Sequence, residues 1–112
     1  MYAMYDLRSP TPVACLKLDH VYTRLKRPAK SIVDYTKLGI QLHISATDDF
    51  THQVIFTPEH IPAFCIEYQT CSTDAINLSQ QSGVLREVAH LLEVQPGATH
   101  SGAIQYRVVF TV

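Results

Sequence analysis

The chain has 112 residues, with ten acidic and nine basic side chains, a net charge of -1 and 46% apolar residues. That size and hydrophobicity predict one globular domain, 1–112, around a single core, and the near-neutral charge excludes a nucleic-acid binder driven by phosphate attraction. No apolar run approaches a membrane span. Residues 1–10 lack the basic and apolar segments of a secretory signal, and Cys15, Cys65 and Cys71, with no close pair among them, read as reduced thiols of a cytoplasmic protein.

Pro10 and Pro12 make the first residues an extended lead-in. Cys15 to Leu18 alternates and predicts a short strand running into Asp19-His20-Val21-Tyr22. Arg24, Lys26, Arg27 and Lys30 form the one basic cluster. No aromatic stripe flanks it, so it reads as a solvated loop broken at Pro28. Three strand-like segments follow at Lys30 to Tyr35, Gly39 to Ala46 and Gln53 to Phe56, joined by short polar turns. Pro58 and Pro62 bracket a loop ahead of the apolar run from Phe64, which reads as a buried strand carrying Glu67, and Gln69 to Asp74 is a polar turn.

Ser79 to Gly83 is loop-like. Val84, Leu85, Val88, Leu91 and Leu92 fit a helical period, yet the segment runs into the turn signal Pro96-Gly97. The expectation is a strand over about 88 to 94, with a helical turn left open near 84 to 88. From Ile104 to Val112 apolar residues occupy every even position, predicting a half-buried strand with one core face, returning from Pro96-Gly97 in a hairpin-like manner. Seven or so strands and little helix predict an all-β antiparallel β-sandwich.

Glu67 is the residue that draws attention. A carboxylate inside an apolar run is costly unless it is paired, hydrogen-bonded or used. Strand alternation also lets every second residue face water, so an outward-facing glutamate is the plain reading. Its neighbours sharpen the matter. Cys65-Ile66-Glu67-Tyr68-Gln69-Thr70, followed by Asp74-Ala75-Ile76-Asn77, resembles the C-terminal motif of the aldose 1-epimerase (galactose mutarotase) family. Leu18-Asp19-His20-Val21-Tyr22 resembles the family's aspartate-bearing segment, in the expected order along the chain. Tyr68 departs from the pattern, since many relatives carry proline there; that alters local stiffness more than chemistry.

The resemblance implies a portion of the galactose mutarotase-like supersandwich and interconversion of the α and β anomers of an aldohexose such as galactose or glucose. It implies Glu67 as general base, best served by burial that brings its pKa toward neutrality, and Asp19 and Gln69 as substrate-binding residues, a carboxylate being suited to accept hydroxyl hydrogen bonds. No cofactor is implied. The family's acid is a histidine from its N-terminal half, to which nothing here corresponds: none of His20, His43, His52, His60, His90 and His100 sits in such a motif. His20 stands out only as the neighbour of Asp19. No metal site is expected, because the Cys65–Cys71 gap does not match zinc spacings, and Cys65 reads as a buried structural thiol. A portion of a larger sandwich carries open sheet edges and apolar surface, so the chain is expected to form a homo-oligomer or to join a partner chain supplying the missing half. The alternative is a non-catalytic carbohydrate-binding or assembly module.

Overall fold

A computed structural model describes residues 5–112. Six strands alternate with short helical turns: β1 Asp19–Tyr22, β2 Ala29–Tyr35, β3 Ile40–Ala46, β4 His52–Phe56, β5 Cys65–Gln69 and β6 Ile104–Phe110, with α1 Ala75–Ser79 and α2 Val84–Ala89 between β5 and β6. They form two three-stranded antiparallel sheets, β1-β4-β5 and β2-β3-β6, so the all-β, sandwich-like class is the one adopted. No helix of the described residues is long and apolar enough to cross a membrane.

The registers fix which side chains share a face. In the first sheet the rows His20–Ile55–Ile66 and Tyr22–Gln53–Tyr68 point inward, and in the second Ala29–Ala46–Ile104, Ser31–Ile44–Tyr106 and Val33–Leu42–Val108 point toward them. The core is small. Ala29, Ile44 and Tyr68 are its buried centre, with Leu25, Leu42, Ala46, Phe50 and Ile66 packed around them. The Tyr68 hydroxyl crosses between the sheets to the Ser31 hydroxyl at 2.8 Å, and the Gln53 amide donates to the same Ser31 oxygen.

Several local expectations are corrected. Cys15 closes a 3-10 turn over Val13–Cys15 instead of opening a strand, and pairing begins only at Asp19. The strand expected at about 88 to 94 is absent among the described residues: the helical period wins over Val84–Ala89, and His90 ends the helix in the left-handed conformation with φ 50°. The turn at Pro96-Gly97 forms, with the Ala98 N–H donating to the Gln95 carbonyl at 2.9 Å. No hairpin results, because β6 pairs with β3 instead. Helix α1 lies between the polar turn and the loop-like stretch, starting from Asp74 at φ 59°, whose carboxylate accepts from the Asn77 amide at 2.7 Å.

The largest surprise is β6. Its even-numbered side chains continue the inner face of the second sheet, yet the first sheet covers only β2 and β3. Tyr106 is 62% exposed and Phe110 77%, with Ile104, Val108 and Val112 exposed beside them. Periodicity correctly marks an amphipathic strand, but the core face it predicts lies open.

Tyr68→Phe is expected to lower stability by about 1 kcal/mol, the net worth of a hydrogen bond, and Tyr68→Ala by about 3–5 kcal/mol through the cavity it opens. Urea denaturation of both variants, read by circular dichroism, checks the ordering; equal losses would mean the hydroxyl bridge contributes nothing separable from the ring.

Candidate functional site

The outer face of the first sheet carries the rows Asp19–Phe56–Cys65 and Val21–Val54–Glu67, then His52–Gln69. Asp19, Glu67 and Gln69, which lie on two non-adjacent strands, therefore share one face. Asp19 is two strands and two residues away from Glu67. A strand spacing of about 4.8 Å and a rise of about 3.3 Å per residue put their Cα atoms about 12 Å apart. Between them Val21, Val54 and Phe56 form an apolar floor, with Val21 and Phe56 exposed. A surface depression of about 510 Å³ opens beside Asp19 and Phe56 and is also lined by Lys17, His20 and His60.

Glu67 is exposed and accepts no hydrogen bond among the described residues. The enclosure that would favour a buried base is therefore not built here, and the plain reading of an outward-facing strand glutamate describes its position. Asp19 is exposed as well. Cys65 is half-buried, not enclosed, and all three cysteines are free thiols. Among the described residues no group of three or more His, Cys, Asp or Glu is placed to hold a metal ion.

Neither Tyr68 nor Tyr22 reaches this face. Tyr68 is buried in the core, and Tyr22 points inward, its hydroxyl donating to the Tyr5 carbonyl at 2.8 Å. Phe56 is the aromatic that reaches the carboxylate-bearing face. The sequence shows it in a strand, but only the β1-β4-β5 register places it between Asp19 and Cys65. His20 also falls on the inner side. It stacks against Tyr5 with ring centroids 4.2 Å apart, and its Nδ1 accepts from the Asp19 N–H at 3.1 Å.

The histidine that shares the outer face is His52, opposite Gln69 and diagonal to Glu67. It is 2% exposed, enclosed where α2 folds over this end of the sheet. The Thr51 hydroxyl lies 3.3 Å from the Thr70 carbonyl and 2.7 Å from His52 Nδ1. Thr70 also accepts from His90 Nδ1 at 2.6 Å, and the Ser72 N–H donates to the Ala89 carbonyl at 3.0 Å. One carbonyl thus ties β4, β5 and the end of α2 together. His52 Nε2 is buried without a hydrogen-bond partner. Burial pushes the His52 pKa down, the neighbouring His90 adds to this, and the Val88 backbone partly opposes it. On the outer face of the second sheet, His43 is likewise pushed down, by desolvation and then by Lys30 and Arg107.

The basic cluster is the solvated loop expected of it. Arg24, Lys26 and Arg27 are exposed, and Arg27 donates to the Asp48 carbonyl at 3.0 Å.

No family model matches the chain, and no curated protein or solved structure matches it.

The depressed histidines set a pH dependence. An unfolded chain takes up protons near the ordinary imidazole value of 6.5 while folded His52 and His43 resist them. Stability is therefore complete above that value and falls as pH drops through it toward the folded pKa. The urea midpoint is expected to decrease from pH 7 to pH 5, with a shallower decrease in His52→Gln; identical pH slopes would show that His52 is not one of the responsible groups.

Proposed function

We propose that the outer face of the β1-β4-β5 sheet binds an aldohexose and that Glu67 acts on it as general base in the interconversion of α and β anomers. The observation that carries this reading is the convergence of Asp19, Glu67 and Gln69 on one face from separate strands. The three lie in the two segments that resemble the aldose 1-epimerase family. The spacing leaves room for one pyranose ring between the carboxylates, with its apolar side on Val54 and Phe56.

In this reaction Glu67 takes the proton of the anomeric hydroxyl while an acid protonates the ring oxygen. The C1–O5 bond breaks and the aldehyde forms. Rotation about C1–C2 and closure on the other face return both protons. Asp19 accepts hydrogen bonds from sugar hydroxyls, and Gln69 orients a neighbouring one. His52 is enclosed and His20 faces inward, so neither supplies the acid; it comes from His60, which lines the depression at the Asp19 end, or from a histidine of a second copy or a partner chain. The three free thiols suit a reducing compartment, the cytoplasm.

The exposure of Glu67 favours a second reading, a carbohydrate-binding module without turnover, in which Asp19 is the hydroxyl acceptor and Glu67 takes no part.

Polarimetry on freshly dissolved α-D-glucose and α-D-galactose separates the two. As an enzyme, the chain is expected to accelerate equilibration, and Glu67→Gln to reduce the acceleration by about 100-fold or more, the usual contribution of a general base. Asp19→Asn is expected to weaken sugar affinity roughly 10- to 100-fold, in line with the worth of a charged hydrogen bond. Sugar binding with no acceleration, unchanged by Glu67→Gln, is the signature of the binding module.

A further inference from the structure

We propose that β6 is the seam of a symmetric dimer, two copies pairing antiparallel through this strand about a two-fold axis at Val108. The inference is independent of the sugar-binding reading and rests on the edge position of β6, the direction of its backbone groups and the self-complementarity of its side chains.

Among the described residues β6 has a neighbour on one side only in the β2-β3-β6 sheet. The Thr111 N–H donates to the Gly39 carbonyl at 2.8 Å, and the Thr47 N–H donates to the Ala103 carbonyl at 3.0 Å. Both pairs fit the β3–β6 register, in which Gln41 faces Val109 and His43 faces Arg107. The odd-numbered residues of β6 therefore turn their N–H and C=O groups toward β3. The even-numbered residues turn theirs to the open edge. These same even residues carry Ile104, Tyr106, Val108 and Phe110, all exposed. A long, apolar edge strand of this kind is a template for another strand.

The side chains select the occupant and the register. Backbone complementarity of two such edges requires even residues to face even residues. Pairing about Arg107 meets that condition but sets two guanidinium groups directly opposite each other, which is repulsive. Pairing about Tyr106 places Phe110 against Gly102 and wastes it. Pairing about Val108 sets Val108 against its own copy, Tyr106 against Phe110 and Ile104 against Val112, while Arg107 faces Val109. Every even-numbered apolar side chain then has an apolar cross-strand neighbour, and two aromatic–aromatic pairs form. The result is one continuous six-stranded sheet with an unbroken apolar band along the seam. The paired edges and side chains bring on the order of 600 Å² per copy into contact, near the lower bound for specific association.

Sedimentation velocity on the unmodified chain is expected to show a dimer at high micromolar concentration that dissociates on dilution. Val108→Pro removes an N–H that points to the open edge and spares the β3 ladder, so it is expected to give a monomer with an unchanged β-rich circular dichroism spectrum. If that variant loses its spectrum, Val108→Lys is read in its place, with the same expected monomer. Val108→Cys is expected to gain a covalent dimer under mild oxidation relative to the unmodified chain, since facing residues at a hydrogen-bonded position lie within disulfide reach. Arg107→Cys is expected to gain none. The proposal is overturned by a monomer at every concentration, by a dimer that survives in a folded Val108 variant, or by cross-linking through position 107 in preference to 108.

Discussion

The contact on which the molecule depends is the hydroxyl bridge from Tyr68 to Ser31, 2.8 Å long, at a small buried cluster of Ala29, Ile44 and Tyr68. So few apolar groups give the two sheets little preference for one stacking over another. A buried polar bridge does, because misplacing it leaves hydroxyls unsatisfied. Gln53 donates to the same Ser31, so β2, β4 and β5 are held in one arrangement. The pleat converts this into a statement about the surface. With Tyr68 inside, its neighbours Glu67 and Gln69 must point outward, and the candidate face is a by-product of the core.

Much of this was legible before the structure. The alternation of Ile40 to Ala46 and of Ile104 to Phe110 locates β3 and β6, and the polar turns punctuate the strands between. The pairing was not legible, because period two tells which residues share a face of one strand and says nothing about which strand lies beside it. Phe56 joins Asp19 and Cys65 only through the β1-β4-β5 order. The stretch after Val84 failed for a different reason. Its helical spacing and its following turn signal pointed to different structures, and the local period prevailed over Val84–Ala89. For β6 the pattern was right and its meaning incomplete: amphipathicity records that one side avoids water, not that the same chain supplies the cover.

Tyr68 serves both sheets at once. A proline at this position would set the strand direction by its fixed φ and leave the core centre without a large ring. The tyrosine fills the centre and reaches across to the second sheet. The face bearing Asp19 and Glu67 is thus supported by packing on its reverse side. At the far end of that face the Thr70 carbonyl gathers Thr51 and His90, holding α2 over His52 and leaving the Asp19 end open. The proposed seam lies at the edge of the other sheet, so association through β6 leaves this face uncovered.

The start of β6 is fastened independently of the turn that precedes it. Ala103 and Thr47 exchange two hydrogen bonds, of 3.0 and 3.1 Å, and His100 reaches Asp49 at 3.0 Å. The Gly102 backbone lies so close to Asp49 that an added Cβ would come within 2.6 Å of its carboxylate oxygen. Register is thus decided after Gly97, and the irregular stretch from Leu91 to Gln95 acts as a tether whose length carries no structural information. Doubling such a tether costs only about 0.6 kcal/mol in closure entropy. That makes it the natural place for the chain to accept inserted residues, a tag or a reporter without disturbing either sheet.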